Sequence, residues 1–157
     1  MEMETFFVST NILNFRHLLQ SERSAGLFIE VLYLYRQEET YLLHEFVVMP
    51  DHVHLMVSPR GLTIERVVGL VKGAFSYQAR ERFGWKGSIW LRSFTDRRLR
   101  DAEEYAVRKE YVWENPVKAG LCARPEDWPF SSASGRFELD PVPQRLKPLA
   151  KGEATHG

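Results

Sequence analysis

The feature that most constrains this chain is a hairpin signature in its first third. Tyr41 to Met49 is a nearly continuous apolar run, Pro50-Asp51 supplies a turn, and His52 to Val57 alternates apolar and polar. The first run reads as a buried central strand. The second reads as its antiparallel neighbour across a short connection.

Other segments fall into place around this hairpin. Thr5 to Thr10 is a short β-branched and aromatic run with strand character. From Ser21 to Glu38, Leu27, Phe28, Val31, Leu32, Leu34 and Tyr35 recur at helical spacing, with Ser21 or Ser24 available as cap. Thr63 to Arg82 carries a second apolar stripe (Ile64, Val67, Val68, Val71, Phe75, Ala79). Gly84, Gly87 and Ser88 break the chain, and Ile89 to Phe94 reads as another strand. Asp101 to Asn115 is a helix with an acidic first turn, predicted to stop at Pro116 because the residue before a proline avoids the helical region. The order β-α-β-β-α-β plus a final helix predicts an α+β fold. It is a ferredoxin-like sandwich, a central antiparallel sheet with helices packed on it and a C-terminal helix beyond. We expect one domain over residues 1–137 and a poorly ordered tail over 138–157, where Pro141, Pro143 and Pro148 fall.

Composition narrows the class. With 157 residues, 44% of them hydrophobic, the chain can bury a core of its own. Its one cysteine, Cys122, excludes an internal disulfide framework and a Cys-cluster zinc site. No apolar run reaches the ~18 residues of a membrane span. The acidic start does not read as a signal peptide. No membrane partner and a cytoplasmic location are therefore expected. The net charge of zero conceals a cancellation. Residues 1–59 hold 3 basic and 8 acidic side chains, residues 60–100 hold 10 and 3, and residues 101–157 hold 8 and 10. The basic middle suits a polyanion partner, or else is a solvated basic helix.

Two pairs of side chains suggest chemistry. His52 and His54 lie at i and i+2 of a strand, hence on one face, while Val53, Leu55 and Val57 point to a core. Two such imidazoles either converge on one divalent cation or are unrelated histidines, one in the core and one exposed. Tyr111 and Asn115 lie one helical turn apart, as a nucleophile and a third metal ligand or as a core tyrosine and a helix-end asparagine. Imidazole plus amide oxygen suits magnesium or manganese. Arg92, Arg97, Arg98 and Arg100, with Lys72 and Arg80, could meet phosphates, and Trp85 could stack on an unpaired base.

Taken together the blocks resemble a known family. Met49-Pro50-Asp51-His52-Val53-His54-Leu55 looks like the HUH block of single-tyrosine transposases. The segments 72–76 and 90–100, the block Tyr111-Val112-Trp113-Glu114-Asn115-Pro116 and the closing Asp127-Trp128-Pro129-Phe130-Ser131-Ser132 are similar to those of the REP-associated tyrosine transposases. The resemblance implies an HUH nuclease fold with His52, His54 and Asn115 as metal ligands, Tyr111 as nucleophile, and magnesium or manganese as cofactor. It implies cleavage of single-stranded or hairpin DNA through a 5′-phosphotyrosine. The chain departs from the family's Arg-rich early segment, keeping only Ser9-Thr10-Asn11 and Arg16. A domesticated DNA-binding relative that no longer cuts, or a hydrolase using water, are the alternatives. Monomer and homodimer stand equally open.

Overall fold

The structure, a computed structural model, describes residues 3–148. Its main elements follow the expected order: β1 (Thr5–Ile12), α1 (Glu22–Gln37), β2 (Tyr41–Val48), β3 (His52–Pro59), α2 (Ile64–Phe83), β4 (Trp90–Leu99) and α3 (Ala102–Lys118). The four strands form one antiparallel sheet in the order β2-β3-β1-β4, the ferredoxin-like arrangement. Each long helix opens on a side-chain cap: Ser21 accepts from the Ser24 N–H, Thr63 from Arg66 and Asp101 from Glu104.

Alternation along β3 divides the apolar residues between two cores. Val53, Leu55 and Val57 join Phe28, Leu32, Val68 and Phe75 beneath α1 and α2. Met56 points the other way, into a smaller core with Phe7, Val47, Met49, Leu99, Tyr105, Val112 and Leu146 beneath α3. α3 packs on β2 and β3. Most of β4 is exposed.

Three expectations need correction. The apolar run of β2 is an edge strand, not a central one; β3 and β1 take the middle of the sheet. It can be almost wholly apolar because a later segment covers its free edge. Val48 N–H donates to the Phe130 carbonyl at 2.8 Å, Phe46 N–H to Ser132 Oγ at 3.0 Å and Leu43 N–H to the Asp140 carboxylate at 2.8 Å. Residues 138–148 of the expected tail are thus packed on the body. Arg36 grips Asp140 with two 2.9 Å hydrogen bonds, and Leu146 is fully buried in the smaller core. The rest of the expected tail, 149–157, lies outside the described residues. Lastly, α3 does not stop at Pro116 but runs to Lys118. Pro116 is buried, and the extra turn is closed by Ala119 N–H to Asn115 O and Leu121 N–H to Pro116 O. Proline removes one donor, to the Val112 carbonyl, and packing with the added bonds outweighs that loss. No helix among the described residues is long and apolar enough to cross a membrane.

The Arg36–Asp140 pair gives a direct stability test. Burial alone would raise the Asp140 carboxyl, but the Arg36 guanidinium and the Leu43 N–H outweigh it and hold it below its ordinary value. Asp140→Ala removes three hydrogen bonds at an edge strand and should cost about 1–3 kcal/mol in urea unfolding.

Candidate active site

The hairpin turn and the sheet register build the site. Met49 N–H donates to the His52 carbonyl at 2.8 Å, and Ile12 N–H, at the end of β1, donates to the Asp51 carbonyl at 2.8 Å. Across the ladder His54 stands opposite Ser9, and Ser9 opposite Thr95; His52 stands opposite Asn11. These residues share the sheet face that α3 partly covers.

His54 is packed between two rings. Phe7 stacks on it with centroids 5.3 Å apart, and the Tyr111 ring meets it edge-on at 5.2 Å. The His52 ring lies 4.8 Å from His54. Both imidazoles are held by Nδ1. The Asp51 carboxylate, 2.7 Å from His52 Nδ1, accepts only, so Nδ1 carries the hydrogen and Nε2 the free lone pair. Ser9 Oγ lies 2.7 Å from His54 Nδ1. His54 Nε2 is buried without a hydrogen-bond partner among the described residues. Burial, helped by the Arg108 guanidinium, pushes the His54 pKa down to about 3, so the ring is neutral.

A buried polar atom left unpaired costs free energy. A neutral imidazole with an orphaned Nε2, beside a second imidazole whose Nε2 is also the free nitrogen, is a donor set that suits a divalent ion. No group of three His, Cys, Asp or Glu that could hold a metal occurs among the described residues.

Helix α3 brings the phenol to this place because Glu45 anchors it. Glu45 sits at a bulge in β2, 5% exposed, and accepts from Trp113 Nε1 and Ser132 Oγ, each at 2.7 Å, with Lys109 Nζ at 3.9 Å. With Tyr105, Val112 and Trp113 turned to the smaller core, Arg108, Tyr111 and Asn115 form one stripe at i, i+3 and i+7. Continuation of the helix past Pro116 keeps Asn115 on that stripe, one turn from Tyr111. Tyr111 is 42% exposed, its ring against His54 and Phe7. The paired imidazoles and the phenol are thus together in one chain, on an open shelf rather than in a cavity. A hollow of ≈740 Å³ lies at Phe6, Leu62 and Asp96, toward α2 and away from this group.

The basic residues divide. Arg97 stands opposite Phe7, on the face of the shelf, with Glu104 at 3.5 Å; Arg98 stands opposite Phe6 with Glu4 at 3.5 Å. Arg92 and Arg100 are exposed on or next to β4. The three α2-side residues are engaged within the protein. Lys72 donates to the Leu91 carbonyl at 2.9 Å and lies over Trp90, Arg80 donates to the Gly87 carbonyl at 3.0 Å, and Trp85 is partly buried against Phe75 and Phe83. Sequence reasoning gave no site role to Phe7, Ser9, Asp51, Glu45 or Arg108. Asp51 and Arg108 had a readable signal, adjacency to His52 and helical spacing from Tyr111; the others depend on strand register.

Comparisons with known proteins give the family and the fold. The family model described as transposase IS200 like matches residues 12–115. The chain belongs to the IS200-like transposase family. Among curated relatives, the REP-associated tyrosine transposase of Escherichia coli (strain K12) is 27% identical over 143 residues, covering 87% of this chain and 83% of the relative. Among solved structures, a REP-associated tyrosine transposase bound to a REP hairpin superposes with a TM-score of 0.67 at 24% identity, over 96% of this chain and 91% of that one. That likeness supports the fold of this family member.

The neutral, buried His54 also sets a pH dependence. Its folded pKa is below the unfolded value of about 6.5, so the unfolded chain takes up the proton first. Stability is then present above pH ~6.5 and falls as pH drops toward 3, by up to about 1.4 kcal/mol per unit for one proton. Buried His44, lowered chiefly by desolvation, acts in the same direction. Urea unfolding without divalent ions between pH 7 and 4 should show the slope, and His54→Asn should reduce it to the part that His44 carries.

Proposed function

We propose that this chain is a metal-dependent DNA endonuclease and strand transferase that acts at single-stranded or hairpin DNA through a covalent tyrosine intermediate. One observation carries the reading: two imidazoles anchored at Nδ1 lie side by side, and the one with the buried, orphaned Nε2 meets the ring of an exposed tyrosine. The curated relative's name and the hairpin-bound structural relative support the same partner, hairpin DNA of the repeated extragenic palindrome type.

In the proposed reaction the Tyr111 hydroxyl oxygen attacks a backbone phosphorus. A bond from Tyr111 to the 5′-phosphate forms, and the phosphorus–3′-oxygen bond breaks. The phenol gives up its proton to solvent and the leaving 3′-oxygen takes one, ending as a free hydroxyl. The bond energy is kept in the phosphotyrosine, so a 3′-hydroxyl attacking it reseals a strand without a nucleoside triphosphate. A magnesium or manganese ion held by His52, His54 and Asn115 would supply positive charge that polarises the phosphate. Asp51 and Ser9 orient the two rings, and Phe7 fixes the plane of His54. Arg97, Arg98, Arg92 and Arg100 present charge along the exposed β4 edge, where backbone phosphates would run.

The test is incubation with labelled hairpin oligonucleotides carrying single-stranded flanks, in manganese or magnesium. The reading expects a protein–DNA species that survives denaturant. Salt-sensitive binding with no such species in either metal would select a non-cutting binder instead.

A further inference from the structure

Among the described residues Arg108 has no ion-pair partner within 4 Å; Glu104, one turn before it on α3 and lining the same hollow, is already paired with Arg97. Two neighbouring cations have partners: Arg97, on β4, with Glu104 at 3.5 Å and Lys109 with Glu45 at 3.9 Å. Arg108 forms no ion pair or hydrogen bond with another described residue. Its guanidinium lies over the Phe7 ring, 4.9 Å from the centroid. That ring also stacks on His54 and meets the ring of Tyr111 edge-on at 5.9 Å. Arg108 is one helical turn before Tyr111 on the stripe that continues to Asn115. It is half-buried, so solvent screens it only in part.

A guanidinium without an ion-pair partner, seated over the ring that stacks on His54, is completed by an anion that joins it. A phosphodiester supplies one negative charge and two non-bridging oxygens, and the planar guanidinium fork matches that geometry better than an ammonium would. The aromatic seat on Phe7 restrains the fork before any ligand arrives, which lowers the ordering cost of binding.

We propose that Arg108 binds a non-bridging oxygen of the phosphodiester presented to Tyr111, as a substrate-binding residue of the same site. This rests on the transposase reading above for the identity of the reacting bond, but the binding of a phosphodiester can be measured without it. In full-length, metal-free protein the Arg108 Nε–H NMR resonance is identified by its loss in Arg108→Lys. It is then titrated with the dinucleotide dTpdT and with its uncharged methylphosphonate analogue. We expect a saturable shift with dTpdT and at least about tenfold weaker binding of the analogue. No shift, or equal shifts with both, overturns the proposal. In the adduct assay, Arg108→Ala should slow single-turnover formation by roughly 100-fold at unchanged thermal midpoint, with Arg108→Lys recovering part. An unchanged rate in Arg108→Ala overturns the proposal and leaves the transposase reading intact. A wild-type protein that forms no adduct overturns the transposase reading, and the NMR titration still decides the role of Arg108.

Discussion

Tyr111→Phe is expected to abolish the denaturant-stable protein–DNA adduct, by at least about a thousandfold, while leaving DNA binding and folding intact. The change deletes one oxygen. That hydroxyl has no hydrogen-bond partner among the described residues and the side chain is 42% exposed, so a stability change beyond about 0.5 kcal/mol is not expected. The ring contacts with His54 and Phe7 survive in phenylalanine. Loss of the adduct with retained binding isolates the nucleophile. An adduct that persists would move the chemistry to another residue; Tyr105, the nearest tyrosine on the same helix, is buried in the smaller core and has no access to a strand.

The second large effect concerns His54. His54→Ala removes a ring whose buried Nε2 has no hydrogen-bond partner among the described residues and leaves Phe7 and Tyr111 without their shared neighbour. Manganese affinity, read by calorimetry, should fall at least about 100-fold, and the adduct should vanish with it. Ser9→Ala supplies the graded control. It leaves the imidazole in place but removes the group 2.7 Å from Nδ1, and should weaken manganese binding by about 10- to 100-fold. A Ser9→Ala protein as inactive as His54→Ala would mean that Ser9 does more than orient the ring.

The order of elements was legible because periodicity switches cleanly between strand and helix along the chain, and the pairing of His52 with His54 on one face follows from a period of two. Position within the sheet was not legible. An apolar run such as β2 reads the same whether a neighbouring strand or a distant loop covers its edge, and here residues 130–140 do so. The tail misled for the same reason: prolines at 141, 143 and 148 lower regular structure without preventing the burial of Leu146 or the clasp of Asp140 on Arg36. Pro116 misled because a local preference yielded to packing. The gathering of Tyr111 with the histidines depends on Glu45, a buried carboxylate in a bulge, whose partners Trp113 and Ser132 are 68 and 87 residues away. Spacing alone carries no trace of such contacts. The basic block left a polyanion partner and a solvated helix both open; in the fold Lys72 and Arg80 bond to loop carbonyls and Trp85 packs against the core.

The central claim is that the free nitrogens of His52 and His54 and the phenol of Tyr111 address one cation. Crystals of the full chain soaked in manganese, with data collected at an anomalous wavelength, test it most directly. The account predicts a single strong peak bonded to Nε2 of both rings, with the Asn115 amide oxygen and the Tyr111 hydroxyl turned toward it. A peak on only one imidazole, coordination through Nδ1 with Asp51 or Ser9 displaced, or manganese bound elsewhere on the chain would contradict it.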